Sequence, residues 1–479
     1  MTSTNHTAQR RALLIVPYKN RDFDGLALVG YILERFYGLE VVYTNGYGIE
    51  RKLLEHKPDA VVFDHLVWDF KVRQAMLARS LGMKVILLPT EGLHVDLEEG
   101  LRIAGKVSAS THLIDCHFTW GDSVRDAIVA AHLSPADRVH TVGCPRFDYY
   151  SDAFRSLMPD RETFLHGLGI KNAAAPVVLW CTSSSYAARD QQKMVRRQVT
   201  RGGVPEAECQ AMLRDGQTQL RLHSQLIIEL ANRHPDFNFV VKVHPAEWID
   251  PYVELTKQRS NVFLAYNAPI RGFLAHSDVL LQRGCTTATE AWMLGKPVLE
   301  LSIGSYERPV RHDLVAGSHV VRSTDEVDRA LQGYLDGSSI ADDLQGARAD
   351  FLEKFCFKID GQAAFRCAEL IARTVSPPAH PDSDHALMRR LATKAHADAV
   401  HADDIRLPNR IKDAVGIPRE RSLRIWRQLL DSEGRGNFGL FVAEVDITPA
   451  MVSSAYTDLA PVPCLNTAGS LSSLERAPN

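Results

Sequence analysis

Long apolar runs are missing from this chain of 479 residues. No stretch of about 18 apolar residues occurs, so no segment reads as a membrane-spanning helix. Cysteine is sparse and unpatterned. The eight cysteines, Cys116, Cys144, Cys181, Cys209, Cys285, Cys356, Cys367 and Cys464, form no CxxC pair and no regular framework, so reduced thiols are expected rather than a disulfide scaffold. An excess of one charge is also missing. The net charge of −3 gives no whole-chain attraction to nucleic acid, and no nucleic-acid partner is expected. There is no HExxH, Cys/His cluster or EF-hand loop, so no metal site is expected. Of two Asp-x-Asp pairs, Asp22-Phe23-Asp24 fits a helix start and Asp382-Ser383-Asp384 lies in a proline-rich break. The polar opening from Met1 to Arg11 lacks the apolar stretch of a secretory signal, so a cytoplasmic location is expected, with any membrane role peripheral.

What is present is a long alternation of apolar runs and helical patterns. The length exceeds one hydrophobic core, so at least two domains are expected. Residues 12–17, 39–43, 57–64, 84–89, 116–121 and 139–143 read as strands, with helical patterns at 26–36 and 76–81 between them. A second series follows at 175–181, 239–243, 261–264, 279–281 and 296–301, with helical patterns at 219–232 and 287–294. Strands alternating with helices imply doubly wound parallel sheets, here two α/β Rossmann-like domains facing a cleft. The expected boundaries are 1–170, 171–375, and a helix-rich extension at 376–479 beyond Ser376-Pro377-Pro378. Residues 406–427 of that extension are basic, with seven Arg or Lys from Arg406 to Arg427, which suits either contact with anionic lipid or a solvated helix.

Such sheets bind ligands beyond the carboxyl ends of their strands, and the candidate site residues are the polar ones there. His244, before Pro245, can donate to a phosphate oxygen, with Lys242 two residues back on the same strand face. Gly284-Cys285-Thr286-Thr287 joins a strand to a helix, where backbone N–H groups and hydroxyls suit an anion. Glu290 lies one turn further on, where it can accept from ribose hydroxyls or stand as a solvated acid. Ser183 and Ser184 belong to a serine-rich turn after the 175–181 strand. In the first half, Glu91 and His94 share the turn Pro89-Thr90-Glu91-Gly92-Leu93-His94 and are candidates for acid–base work together with Asp64. His65, Asp122 and Arg146 are candidates for the acceptor side or the cleft wall. Each also has a plain structural reading as a helix cap, ion pair or hinge.

Four pieces carry a family resemblance. They are Val142-Gly143-Cys144-Pro145-Arg146-Phe147-Asp148, Lys242-Val243-His244-Pro245, Gly284-Cys285-Thr286-Thr287-Ala288-Thr289-Glu290-Ala291 with Gly295-Lys296-Pro297, and Asp360-Gly361 with Arg366. Over residues 12–373 the chain resembles bacterial surface carbohydrate biosynthesis proteins of the GT-B glycosyltransferase fold. The His-Pro piece is similar to one in CDP-glycerol glycerophosphotransferases and in Kdo- and sialyl-type transferases, which use cytidine nucleotides. Cys144, where relatives tend to have Asn, and Lys242-Val243 before the His-Pro depart from that pattern. The resemblance implies a metal-independent transferase without a cofactor. Its donor would be a nucleotide-activated sugar such as CMP-Kdo, bound through Ser183, Ser184, Lys242, His244, Cys285, Thr286, Thr287 and Glu290. Its acceptor would be a surface glycan or a lipid-linked precursor of capsule or lipopolysaccharide, reached from the cytoplasm or at the inner membrane. The alternatives are a nucleotide-sugar epimerase of the same fold and a nucleotide-sugar-binding protein without catalysis.

Overall fold

The computed structural model describes residues 10–375, apart from residues 18, 46–47, 67–68, 94–110, 159, 203, 258, 267 and 311. His94, the extension at 376–479 and its basic stretch therefore lie outside the described residues.

Twelve strands form two six-stranded parallel sheets among the described residues. The first contains β1 (Arg11–Ile15), β2 (Glu40–Thr44), β3 (Ala60–Phe63), β4 (Lys84–Leu87), β5 (Cys116–Thr119) and β6 (Val139–Thr141), in the order β2-β1-β3-β4-β5-β6. The second contains β7 (Val177–Cys181), β8 (Asn238–Lys242), β9 (Val262–Ala265), β10 (Val279–Gln282), β11 (Val298–Leu301) and β12 (His319–Val321), in the order β12-β11-β10-β7-β8-β9. Helices cover both faces, so strands such as β3 and β7 to β11 are buried along their whole length, and their sequences are runs of apolar residues rather than alternations. The architecture is two doubly wound parallel α/β halves, as the sequence implies. Strand order reverses between β1 and β3 and again between β7 and β10. Each reversal opens a crevice at the strands' carboxyl ends.

Two elements differ from expectation. Strand β12 is only three residues long, with one of them buried, too short to stand out as an apolar run. The helix expected at 219–232 runs from Glu206 to Arg233. Its first turns are polar and bury only Cys209 and Gly216 before Gln219, so the helical period is weak there.

A third difference concerns the boundary at 375. The helix Ala363–Thr374, expected with the second sheet, packs into the first core. Its Ala364, Cys367, Ala368 and Ile371 join Leu28, Val29 and Ile32 of the helix Asp24–Tyr37 in one buried cluster. Small residues along this face let the two helices approach closely. The carboxylate of Asp148, at 1% exposure, accepts the backbone N–H groups of Ala363 and Ala364 at 3.0 and 2.8 Å. These amides open a helix and have no partner within it. Arg366 donates from Nε to the Val142 carbonyl at 2.8 Å and pairs with Asp360 at 2.8 Å. The sequence pieces Gly143–Asp148 and Asp360–Arg366 are thus the two sides of one crossover. Arg146 and Asp148, close in sequence, serve different partners.

Replacing Asp148 with Ala strands two buried amides, and the expected loss is about 2–4 kcal/mol. Hydrogen exchange should locate it: protection falls most in Ala363–Thr374. Unchanged protection there would show that the Asp148 cap does not hold this helix.

Candidate active site in the cleft

On the second-sheet side, the loops after β7, β8 and β10 meet beside the strand-order reversal. The His244 backbone N–H donates to Thr182 Oγ1 at 2.9 Å, and its ring Nδ1 accepts the Ala246 N–H at 3.0 Å. With Nδ1 an acceptor, the neutral imidazole carries its proton on Nε2 and is a donor there. Lys242 is 5% exposed. Its Nζ donates to the Val243 carbonyl at 3.2 Å and lies 6.0 Å from the Phe273 ring centre. Among the described residues it forms no ion pair, and burial pushes the ammonium down to about 8. A buried cation without a carboxylate favours an incoming anion.

The turn after β10 is less open than its sequence suggests. The Gly284 N–H donates to the Glu300 carboxylate at 3.0 Å, and the Cys285 N–H to Gln282 Oε1 at 2.6 Å. Two of the donors expected for an anion are therefore committed within the protein. Gly284 is required for a different reason than ligand approach. It has φ of +53°, and a Cβ there would lie 2.8 Å from Val310. The Cys285 thiol sits 2.9 Å from Thr287 Oγ1, and burial raises its pKa. The Thr286 side chain makes no capping bond to the helix Thr287–Met293. Ser183 donates to the Arg283 carbonyl at 3.0 Å, while the buried Ser184 hydroxyl has no partner among the described residues.

On the first-sheet side, Glu91 follows β4 and stands at the mouth of the cleft with its side chain 72% exposed. Arg21, from the segment after β1, pairs with it and donates to Asp22 at 2.7 Å and to Thr90 Oγ1 at 3.3 Å. The Arg21 charge, aided by Arg146 and His244, pulls the Glu91 carboxyl down to about 2. His244 belongs to the other sheet, so its effect on Glu91 crosses the cleft. After β3, buried Asp64 pairs with Lys71, whose Nζ lies 3.1 Å from His65 Nε2. Burial pushes His65 down to about 4, so its ring is neutral at pH 7 and its Nε2 lone pair faces Lys71. Asp122 begins the helix Asp122–Ala130, accepts from Thr141 Oγ1 at 2.7 Å and pairs with Arg125 at 2.9 Å.

Arg146 joins the two sides. Its guanidinium donates to the Thr90 carbonyl at 3.0 Å, lies 3.7 Å from Asp22, and reaches Glu290 of the second half at 3.5 Å. It rests over the rings of Trp120 and Phe147, at 5.0 and 5.2 Å. The Tyr150 hydroxyl donates to the other Glu290 oxygen. Glu290 is therefore an interdomain acceptor already, not a solvated helical acid. Nearby, Arg271 of the second half pairs with Asp24 and lies 4.5 Å from the Tyr149 ring centre.

The structure thus gathers Glu91, Arg146 and Glu290 with Arg21 and Asp22, and brings His244 to the facing side. It holds Asp64 and His65 against Lys71, where His65 senses Glu91 and Lys71 senses Asp22, and engages Asp122 at a helix start. Arg21, Asp22, Lys71, Tyr150 and Arg271 were not anticipated. Arg21 and Asp22 follow a strand end, the signal that singled out Asp64 and Glu91. Tyr150 and Glu290 are 140 residues apart, and no local pattern pairs them.

No family model matches the chain, and no curated protein matches it. Among solved structures it is similar to UDP-GlcNAc 2-epimerase from Neisseria meningitidis bound to UDP-GlcNAc, at 17% identity, over 76% of this chain and 100% of that one, with a TM-score of 0.49. The Methanocaldococcus jannaschii UDP-GlcNAc 2-epimerase in complex with UDP-GlcNAc and UDP matches at 14% identity, over 71% and 99%, with a TM-score of 0.44. The wall teichoic acid polymerase TagF matches at 12% identity, over 77% and 89%, with a TM-score of 0.46. Likenesses this distant carry nothing about substrate or reaction.

Replacing Arg21 with Gln removes the largest influence on Glu91. The Glu91 titration should then move up from about 2 toward the usual carboxylate range, as read by carboxyl carbon NMR. A titration that stays in place would show that Arg21 does not control this carboxylate.

Proposed function

We propose that the chain is a metal-independent glycosyltransferase that moves a sugar from a nucleotide donor, cytidine-activated as in CMP-Kdo, onto a surface glycan or lipid-linked acceptor. The observation that carries this reading is the charge arrangement of the cleft. Arg21, Arg146 and His244, drawn from both halves, all act on the carboxylate of Glu91, and the buried Lys242 ammonium, two residues before His244, forms no ion pair among the described residues. A nucleotide phosphate would give the Lys242 ammonium the ion pair it does not make among the described residues.

In this reading the second half takes the donor. His244 Nε2 donates to a phosphate oxygen, and Lys242 and the turn at Thr286-Thr287 offset the charge that grows on the departing phosphate. The acceptor hydroxyl attacks the anomeric carbon as the sugar–phosphate bond breaks, and Glu91 takes the hydroxyl proton. A carboxyl held at about 2 is a weak base. Engagement of Arg21 by the donor phosphate would release Glu91 toward a useful range, coupling donor binding to base strength. Glu290, held by Arg146 and Tyr150, keeps the two halves in register around the reacting groups.

A thermal-shift panel of CMP, CDP, UDP, GDP and their sugar conjugates, with and without EDTA, tests this. A ligand that binds only the native state raises the melting temperature. The expected result is selective stabilisation by cytidine ligands, insensitive to EDTA and lost in His244→Ala. A uridine or guanosine preference would discard the cytidine donor, and no shift with any nucleotide would overturn the transferase reading. Incubation of the bound donor alone separates the rivals. An isomerised sugar would replace transfer with epimerisation, and an unchanged donor that also survives candidate acceptors would mark a binding protein.

A further inference from the structure

The turn that carries His244 is built on a buried acid. Glu247 is fully buried, and its backbone N–H donates to the His244 carbonyl at 2.9 Å. Its Oε2 accepts from Thr182 Oγ1 at 2.7 Å and from the Tyr252 hydroxyl. Thr182 Oγ1 in turn accepts the His244 N–H at 2.9 Å, and the Thr182 N–H donates to the Lys242 carbonyl at 3.1 Å. A hydroxyl has one proton. With that proton directed at Glu247, the Thr182 lone pairs face the His244 amide. The carboxyl thereby orients the hydroxyl, and the hydroxyl anchors the histidine. We propose that Glu247 is a positioning residue for the cleft: by holding the Thr182 hydroxyl it fixes the turn that presents the His244 imidazole to an anionic ligand.

This inference rests on reading His244 as a phosphate donor. Its geometric basis is the closed ring formed by residues 244–247 on one side and Thr182 on the other. The ring is reinforced from outside by Arg189, which donates to the Ala246 carbonyl. Glu247 Oε1 accepts no well-aligned hydrogen bond among the described residues, although the Ser184 backbone N–H lies close enough to lower the carboxyl's pKa. Burial pushes this carboxyl up to about 7, against the pull of the Thr182 and Tyr252 hydroxyls and Arg189. Lys242 and the Cys285 thiol also sense its charge. A proton on Oε1 leaves Oε2 free to keep accepting both hydroxyls, so the link to His244 survives titration.

Glu247→Gln retains an oxygen at the Oε2 position, whereas Glu247→Ala and Thr182→Val break the link. The experiment uses the full chain with 15N-labelled histidine, the His244 signals being assigned by their loss in His244→Ala, together with calorimetric titration of inorganic pyrophosphate. Wild type and Glu247→Gln should show His244 with Nδ1 unprotonated and Nε2 protonated, and their pyrophosphate affinities should agree within about twofold. Glu247→Ala and Thr182→Val should mix the two tautomers and weaken pyrophosphate binding about tenfold, the effect of one lost hydrogen bond to a charged group. The His244 backbone amide of wild type should also shift through a transition near pH 7 that Glu247→Gln abolishes. A folded Glu247→Ala protein with an unchanged His244 tautomer and unchanged pyrophosphate affinity would overturn the proposal. If Glu247→Ala does not fold, the near-isosteric Thr182→Val decides by the same two readouts. Tautomer mixing in a protein that binds no pyrophosphate would support the positioning role while refuting the phosphate reading.

Discussion

The structure depends on one buried cation. The Arg146 guanidinium, with its side chain 12% exposed, cannot stay charged away from water unless acceptors surround it. It finds the Thr90 carbonyl and Asp22 in the first half and Glu290 in the second, and it spreads over Trp120 and Phe147. Meeting these needs together fixes the end of β4, the segment after β1 and the helix Thr287–Met293 relative to one another. The same demand reaches the backbone. A Cβ at Gly25 would lie 2.6 Å from the Arg146 nitrogen, so the helix Asp24–Tyr37 can accept the Arg146 segment only with glycine at that place.

Environment rather than residue type separates the acids beside this cation from the one that supports the His244 turn. Glu91 is exposed and lies against Arg21, so its carboxyl is pulled well down. Asp22 is buried between Arg21 and Arg146, and burial prevails, pushing it up. Glu247 is fully enclosed with two hydroxyl donors and sits near neutrality. Opposite shifts in neighbouring carboxyls are the arrangement from which acid–base roles are drawn. Lys242, buried nearby, senses the charge of Glu247 but forms no ion pair among the described residues.

The two sheets, their parallel sense and the strand ends that face the cleft were legible in the sequence. A strand covered by helices on both faces must be apolar throughout, and runs such as Val177–Cys181 and Phe239–Val241 announce this directly. His244, Glu91 and Arg146 were singled out by their place beyond such runs, and the packed chain sets Arg146 and His244 close enough to act on Glu91. Strand β12, at three residues, and the polar first half of the helix Glu206–Arg233 carry too little pattern to be read.

Tertiary structure alone decided which polar groups remain available. Gly284 and Cys285 look like an open anion turn in sequence, yet Glu300 and Gln282 occupy their amides. Asp64 looks like a free strand-end acid, yet Lys71 lies against it. Asp148 looks like a partner for Arg146, yet it caps a helix 215 residues away. Hydrophobic patterning is a property of neighbouring residues and is written along the chain. Ion pairing and capping depend on which distant segments the packed sheets bring within about 3 Å, and the chain order contains no record of that distance.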